Sequence, residues 1–522
     1  MSGAVAQLAL FGQEDLVLSG NPEVTFFKLI FKRPSIFSME SIQQSFQGEA
    51  DFGRRVISQI TRSGDLVHHV FMEVELPDLR DYSINTPIST QANGATIVSA
   101  RWSSNTTAVV RILPSTDGLD VEYDVDIDGS VTRVSNVDFS SSPIDIQITG
   151  LNRNTTQNPD VSVTRVDSGG NTGTVSNTVQ LTTLRWTNNI GHALIRHVDL
   201  EIGGARINRL TSEWLDTELE LTTPADKISG LNEMLGRYTV WNLVTNSLEG
   251  PAKLYIPLTF SFCKTPGLAL PLVALQFHNV QLAFDFRDYT ELIKSDVPVT
   301  SLLDSGGRVP RCTIVPYVTF VYLGTNERRK FALGSSHEYL IEDIQFFGDT
   351  PVVFSGDEPN LQRRVAIDYS HPVSELVWTY NTAASYNSAL QPSMYSVRGN
   401  DYFNTNAPSL SVEPVKSALV YINGNKRFSE RSGSYFRLVQ PYVHHTRTPE
   451  KRIYSYSFAL NPEDPTPTGT LNFSRVDTAH LSVTFDDSFS AGTSNGRLRV
   501  YARSFNILKV ANGMAGLLFA TN

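Results

Sequence analysis

Residues 265–286 read TPGLALPLVALQFHNVQLAFDF, and their interpretation decides the fold. The apolar run from Gly267 to Leu275 is too short to cross a bilayer as a helix, which takes about 20 apolar residues. Pro266 and Pro271 would break a helix there in any case. After Gln276 the pattern changes: Val280, Leu282 and Phe284 recur at every second position, between Asn279, Gln281, Ala283 and Asp285. Period 2 is the signature of a half-buried strand. The stretch is therefore a proline-punctuated apolar connection that runs into a strand, and its expected role is structural.

The same texture extends through the chain of 522 residues, long enough for two to four domains at about 150 residues each. Aromatic side chains are frequent, with 28 Phe and 19 Tyr, and Ser, Thr, Asn, Gly and Pro separate short apolar runs. This composition favours an all-β protein with many turns. Strands are expected over 24–31, 56–61 and 66–76. ALIRHVDLEIGGARI (193–207) predicts a hairpin whose Gly203-Gly204 pair supplies the positive φ of a tight turn. Helix is scarce. LTSEWLDTELEL (210–221) predicts one, capped by Thr211 or Ser212, with Leu210, Trp214, Leu215 and Leu219 on one face. A second is expected over 225–235 after Pro224, burying Ile228, Leu231, Met234 and Leu235.

Residues 91–182 differ from the rest. They hold no lysine, and five arginines face nine aspartates and one glutamate, half of the chain's net charge of −10. Six or seven short strands with turns about every ten residues predict a small β-sandwich or barrel of its own, inserted in a loop of a larger β fold. Outside it runs a weak internal repeat. LEIGGARI (200–207) resembles VYINGNKRF (420–428), LYIPLTFSF (254–262) resembles IYSYSFAL (453–460), and HNVQLAFDF (278–286) resembles AHLSVTFDD (479–487). The order is kept, which predicts two related β domains in tandem.

Several function classes find no support. The acidic balance shows no basic patch or tail of the kind that packages nucleic acid. FKLIFKR (27–33) and NERRKF (326–331) are short clusters that suit solvated or interface charges. Two cysteines, Cys263 and Cys312, make no disulfide framework and point to folding in a reducing compartment. The first residues do not form a convincing signal peptide, so synthesis in the cytosol is expected. No G-x-S-x-G, P-loop, H-E-x-x-H or C-x-x-C motif occurs, so no catalytic residue and no cofactor site is nominated.

LDVEYDVDIDG (119–129) is the sharpest local pattern. Asp124, Asp126 and Asp128, followed by Gly129, match the opening of an EF-hand loop, but Ser135 stands where the loop needs its bidentate Glu. The alternation also fits an acidic strand face ending in an Asp-Gly turn. The two interpretations, a solvated acidic face and a calcium site, both remain open. His68-His69 and His444-His445 are adjacent pairs. Strand neighbours point to opposite faces, so packing or hydrogen bonding is expected of them and metal chelation is not. Asn105, Asn154 and Asn472 lie in N-x-S/T sequons and are candidate glycosylation sites, although a cytosolic chain would not meet the secretory machinery.

Many stretches, in order, carry a family resemblance: SGNPEVTFFK (19–28), SIQQSFQG (41–48), RSGDLVHHVFMEVELP (62–77), DLEIGGARI (199–207), TPGLALPLVALQFHNVQL (265–282), HEYLIEDIQF (337–346), GSYFRLVQPY (433–442), YSYSFALNP (454–462), TGTLNFSRVD (468–477) and FNILKVANGMAGLLF (505–519). The chain resembles the major capsid proteins of nucleocytoplasmic large DNA viruses, in the chlorella-virus-like branch. The resemblance implies two tandem eight-stranded antiparallel jelly rolls; residues 91–182, read as an inserted β domain, interrupt the first and depart from the family pattern. It implies no enzyme, but a homotrimeric capsomer of nearly hexagonal outline that tiles an icosahedral shell around an inner membrane and DNA. The expected division is an N-terminal arm (1–23), a first jelly roll (24–325), a linker (326–336) and a second jelly roll with its C-terminal tail (337–522). Other copies of the chain, minor capsid and penton proteins and the inner membrane are the expected partners, without sequence-specific nucleic-acid binding. The insertion is longer than expected between those strands and is expected on the outer surface. A paralogous minor capsid or penton-related protein, or a glycan-binding attachment role for the insertion, are the alternatives.

Overall fold

The computed structural model describes residues 33–79, 185–237, 252–294, 309–334, 336–354, 361–383, 413–489 and 495–519, seven strands between 96 and 180, and a few isolated residues elsewhere. The strand expected over 24–31 lies, apart from Phe27, outside the described residues. So does almost all of the expected N-terminal arm.

Antiparallel strands dominate. The first half contains β1 (Phe37–Gln43), β2 (Arg55–Gln59), β3 (Leu66–Leu76), β4 (Ile195–Ile202), β5 (Ala205–Thr211), β6 (Ala252–Pro257), β7 (Val280–Phe286) and β8 (Thr313–Leu323). The second contains β9 (Ser336–Gln345), β10 (Gln362–Ala366), β11 (Pro372–Thr382), β12 (Val415–Ile422), β13 (Asn425–Lys426), β14 (Ile453–Ser457), β15 (Ala479–Phe485) and β16 (Gly496–Ala511). Hydrogen bonding orders the first set as β1-β8-β3-β6 and β5-β4-β7-β2, and the second as β9-β16-β11-β14 and β13-β12-β15-β10. Each strand of the second half thus occupies the place of the strand eight earlier. Even the two-residue strands repeat, with Leu270–Pro271 pairing to the start of β3 and Leu471–Asn472 to the start of β11. All three repeated motifs of the sequence fall on equivalent strands.

The opening stretch behaves as its pattern requires. A 3-10 turn at Pro266–Leu268, the short strand Leu270–Pro271 and a second 3-10 turn at Leu272–Ala274 lead into β7. Val280, Leu282, Phe284 and Phe286 are buried in one apolar cluster with Val70, Met72 and Val74 of β3. The second half has its own cluster around Leu376, Trp378, Val420, Leu481 and Val483. Between β4 and β5 the turn residues Gly203 and Gly204 have φ of 59° and 82°, and between β12 and β13 Asn423 and Gly424 have 49° and 76°. Two successive positive φ values match the right-handed twist of a tight hairpin, and only Gly or Asn takes them cheaply.

Both expected helices form, but of the four residues expected to be buried in the second only Leu231 and Leu235 are; Ile228 is half-buried and Met234 exposed, because the helix packs one narrow side inward. α1 (Ser212–Thr222) is capped by Thr211, whose side chain accepts from the Trp214 amide, and a 3-10 turn at Ala225–Lys227 leads into α2 (Ile228–Leu235). The strand expected from Ala193 starts two residues later, because Ile190–Leu194 form a helical turn. Most of 326–336 is a third helix, α3 (Thr325–Leu333), with no buried residue. Its Arg328 pairs with Asp65 at 2.9 Å.

Within 91–182 the seven described strands form a sheet of four (172–180, 160–167, 121–127, 130–134) and a sheet of three (96–102, 107–113, 144–149). The sheet partners of these strands lie within the segment itself. No helix among the described residues is long and apolar enough to cross a membrane.

Candidate functional site

The most concentrated chemistry lies where the two halves meet. α1 leaves β5 and lies against the outer face of the β9-β16-β11-β14 sheet. Trp214, Leu215 and Leu221 are buried and Leu219, expected on the same face, is only half-buried, whereas Glu213, Asp216, Glu218 and Glu220 are all buried. Isolated buried carboxylates would be prohibitively costly, so each must meet a cation. Glu213 meets Arg499 at 3.0 Å and Arg287 at 3.1 Å. Asp216 takes Lys451 at 2.6 Å and Asn189 at 2.8 Å. Glu218 takes Lys264 at 2.5 Å and lies 3.6 Å from Arg503. Glu220 pairs with Arg237 and, at 3.3 Å, with Arg447. Arg447, Lys451, Arg497, Arg499 and Arg503 belong to the second half, so each of the four α1 carboxylates is tied to it.

Arg503 is the centre of the arrangement. Its side chain is fully buried and lies 2.8 Å from Glu375, 3.2 Å from Glu342 and over the Trp214 ring at 5.5 Å. Its Nε and Glu375 Oε1 sit at ion-pair distance without the alignment of a hydrogen bond, so that attraction is Coulombic, while Glu375 Oε2 faces His445 at 3.0 Å. Lys264 bridges Glu218 and Glu342, each at 2.5 Å. The main chain joins in: Asn208 Nδ2 and Ser261 Oγ donate to the Glu342 carbonyl at 2.9 and 3.1 Å. Trp214 packs on Tyr501 at 5.2 Å. Ile341, Val377, Ile453 and Tyr501 of the second half belong to the apolar cluster of the first. The seam is thus an apolar layer threaded with charge. Such pairs add little net stability against an apolar alternative, but a mismatched orientation would strand several charges, so they fix one geometry. That is the property a rigid building block needs.

Electrostatics follow the geometry. Burial alone would raise the carboxyl pKa values. Instead Arg499, Arg287 and Arg497 hold Glu213 well below the carboxylate range, and His445 and Arg503 hold Glu375 down to about 2. Burial lowers the pKa of His445, but Glu375 and Glu463, each 3.0 Å away, outweigh it and raise the value to about 9. Burial keeps His192 down at about 4. The signs then set a pH profile. The His445 contribution is complete below 6.5 and is lost as pH rises through 9. The Glu375 contribution is complete above 4.5 and is lost as pH falls through 2. His192 acts on the acid side, removing stability from 6.5 down to 4. The melting temperature should therefore fall between pH 6.5 and 9.5, and His445→Gln should flatten that limb. An equal alkaline slope in both proteins, by scanning calorimetry, would sink the assignment.

Apart from His445, the candidate residues of the sequence lie elsewhere and are not brought together. Asp124 and Asp126 are half-buried on the strand Val121–Ile127, while Asp128 is outside the described residues. Asp124 receives a bidentate pair from its cross-strand neighbour Arg133, at 2.7 and 2.8 Å, which lowers its pKa. Among the described residues no three His, Cys, Asp or Glu side chains form a metal-binding group. Asn105 and Asn154 are outside the described residues; exposed Asn472 caps the turn Phe473–Arg475, accepting from the Ser474 amide at 3.0 Å. Cys263 and Cys312 are buried free thiols.

The histidine pairs divide. His445 is the seam histidine, and His444 Nδ1 lies 2.9 Å from the Leu460 carbonyl. His68 and His69 do not point to opposite faces: their rings approach to 3.7 Å. Val70 pairs with Val318 and Val67 with Phe320, so both histidines oppose the single residue Thr319. This is a β-bulge, which breaks strand alternation.

Comparison with known proteins agrees with the fold. A model of the large eukaryotic DNA virus major capsid protein matches residues 327–516, and one of the major capsid protein N-terminus matches 25–106 and 160–324. The chain is 28% identical to the major capsid protein of Chrysochromulina ericina virus and 29% identical to that of Paramecium bursaria Chlorella virus 1, over the full length of both proteins in each case. A quasi-atomic model of the PBCV-1 virus capsid superposes with a TM-score of 0.65 at 27% identity, covering 95% of this chain and all of the other. The Faustovirus major capsid protein, at 12% identity, shares the fold with a TM-score of 0.62 over 97% of this chain and 96% of its own. The chain belongs to the family of major capsid proteins of large icosahedral DNA viruses, double jelly-roll proteins that are structural and not enzymes.

Proposed function

We propose that the chain acts as a homotrimeric capsomer in which three copies of two eight-stranded jelly rolls give six barrels and a nearly hexagonal outline. The observation that carries this is the repeated strand order, β1-β8-β3-β6 followed by β9-β16-β11-β14. A three-fold assembly of such duplicated chains presents six similar flanks, so few kinds of contact tile a shell. The charged seam supplies the rigidity that a fixed outline requires. On this reading the rolls span 24–325 and 337–522, the 326–336 segment joins them, and residues 1–23 form an arm toward minor capsid proteins or the inner membrane.

Residues 91–182 form, in this proposal, an extra β domain on the outward surface. Their self-contained strand pairing supports it, as does the interruption of the N-terminal family match between 106 and 160. The Asp124–Arg133 pair favours a solvated acidic face over a calcium site. Assembly in the host cytoplasm fits the two buried thiols. Minor capsid and penton proteins are the proposed neighbours in the shell.

Light scattering on the purified chain tests the capsomer. Three copies of the 57.8 kDa chain give about 173 kDa. A strict monomer across the accessible concentration range would overturn the trimer.

A further inference from the structure

Two lysines of the charged seam stand on different footings. Lys264 is shared between Glu218 and Glu342, each at 2.5 Å. Burial lowers its pKa, but the two carboxylates outweigh burial and keep it an ammonium. Lys451 meets Asp216, with Oδ2 at 2.6 Å and Oδ1 at 2.8 Å. Here burial wins: with Arg237 adding to it, the pKa of Lys451 falls below the ordinary lysine value in spite of Asp216. A desolvated lysine that gives up its proton is a nucleophile.

Beside Lys451 stands an amide. Asn189 Nδ2 donates to the same Asp216 Oδ1, also at 2.8 Å, so the lysine Nζ and the asparagine Nδ2 converge on one oxygen. Nδ2 also lies 3.1 Å from Nδ1 of His192. The carbonyl oxygen of the same amide is buried and, among the described residues, has no hydrogen-bond partner. Buried polar atoms are seldom left in that state. The backbone fixes the position: Asn189 precedes the helical turn Ile190–Leu194 in a left-handed conformation, φ 56°, and its amide donates to the Gly236 carbonyl at 3.2 Å. Phe403 closes the site, with its ring 5.4 Å from Lys451 Nζ and 6.3 Å from the His192 ring. Asn189, His192, Asp216, Phe403 and Lys451 are all buried. An amine, an amide and a bridging carboxylate thus share one closed site between the two halves.

We propose that Lys451 and Asn189 join covalently, through an amide between Nζ and Cγ that ties the second half to the first. Asp216 takes a proton from the Lys451 ammonium. The freed amine attacks Asn189 Cγ, and the bond from Cγ to Nδ2 breaks. Asp216 hands its proton to the departing nitrogen, which takes a second from Nζ by the same route and leaves as ammonium. One C–N bond forms and one breaks, charge is conserved, and nothing is oxidised or reduced. Lys451 and Arg237 hold the Asp216 carboxyl below its ordinary range against burial, so it is ionised and able to accept the proton. Fixing the two groups side by side substitutes for effective concentrations of about 10⁵–10⁸ M. The link is made within one chain, independently of how copies assemble, and it locks the orientation that the ion pairs select.

Mass spectrometry of the full chain tests this. The wild type should be lighter than its sequence by one ammonia. Lys451→Arg, which keeps a cation on Asp216, should show no such loss. Trypsin should release residues 186–196 and 448–452 as one joined peptide, uncut after Lys451, with fragmentation placing the link between Asn189 and Lys451. On a denaturing gel the looped wild-type chain should run ahead of Lys451→Arg. Separate recovery of 186–196 and 448–451 from the wild type would overturn the link. So would an ammonia lost without the joined peptide, because Asn423-Gly424 and Asn512-Gly513 can each lose ammonia by closing on their own backbone. The wild-type digest decides the matter whether or not the variant folds.

Discussion

Replacing Arg503 by Met should cost about 3–5 kcal/mol, the range for breaking a buried ion pair by removing one partner. The side chain has no solvent exposure, and Glu375, Glu342 and Glu218 lie around it at 2.8, 3.2 and 3.6 Å. Lys264 can still serve Glu218 and Glu342, and His445 can still serve Glu375, but the cluster then holds an excess of buried negative charge. The expected readout is a lower urea midpoint, followed through the fluorescence of Trp214, whose ring lies under the guanidinium. The companion variant Arg503→Met/Glu375→Gln should recover part of the loss, because it removes the stranded charge along with the cation. Coupled neighbours are non-additive in this way. If Arg503→Met stays within about 1 kcal/mol of the wild type, the outer limit of ordinary exposed pairs, the seam is not held by charge.

The second large effect is expected at Trp378. It is fully buried in the second half's core, 5.1 Å from Phe436 and stacked on Tyr454 at 6.0 Å. Truncation to Ala should cost about 3–5 kcal/mol, transfer and cavity terms together. The loss should fall on the second half, because Trp378 belongs to its cluster and not to that of the first. It should also loosen the Tyr435–His444 helix, which rests on Trp378 through Phe436. Calorimetry of the wild type and variant would show the transition of the second half moved down. A change under about 1 kcal/mol would mean that the site refills, and the assigned packing would be wrong.

Much of this protein is decided locally. The alternation through β3 and β7 makes strands of them whatever surrounds them, because period 2 puts every second side chain on one face. Gly203-Gly204 and Asn423-Gly424 specify two tight hairpins, because few other residues tolerate those φ values. The ordered repeat of motifs foretold the repeated sheet order, and Thr211 marked the start of α1.

The seam is different, although its charges stand in plain sight. In GRLRVYARSF (496–505), Arg497, Arg499 and Arg503 alternate with Leu498, Val500 and Ala502, a strand with an apolar inner face and a cationic outer one. A periodic pattern shows that two faces differ, but not whether the polar face meets water. Local sequence therefore leaves the four α1 carboxylates free to be solvated. Their burial comes from partners in the other half, 227 to 286 residues away for the pairs Glu220–Arg447, Asp216–Lys451, Glu218–Arg503 and Glu213–Arg499. The same limit applies to His68 and His69, whose stacking follows from a bulge set by β8, more than 240 residues downstream. The sequence by itself determined the strands, the hairpins and the duplication, because those depend on neighbours within a few residues. Only the tertiary structure decided which charges lose their water, because that depends on what the opposite half lays over them.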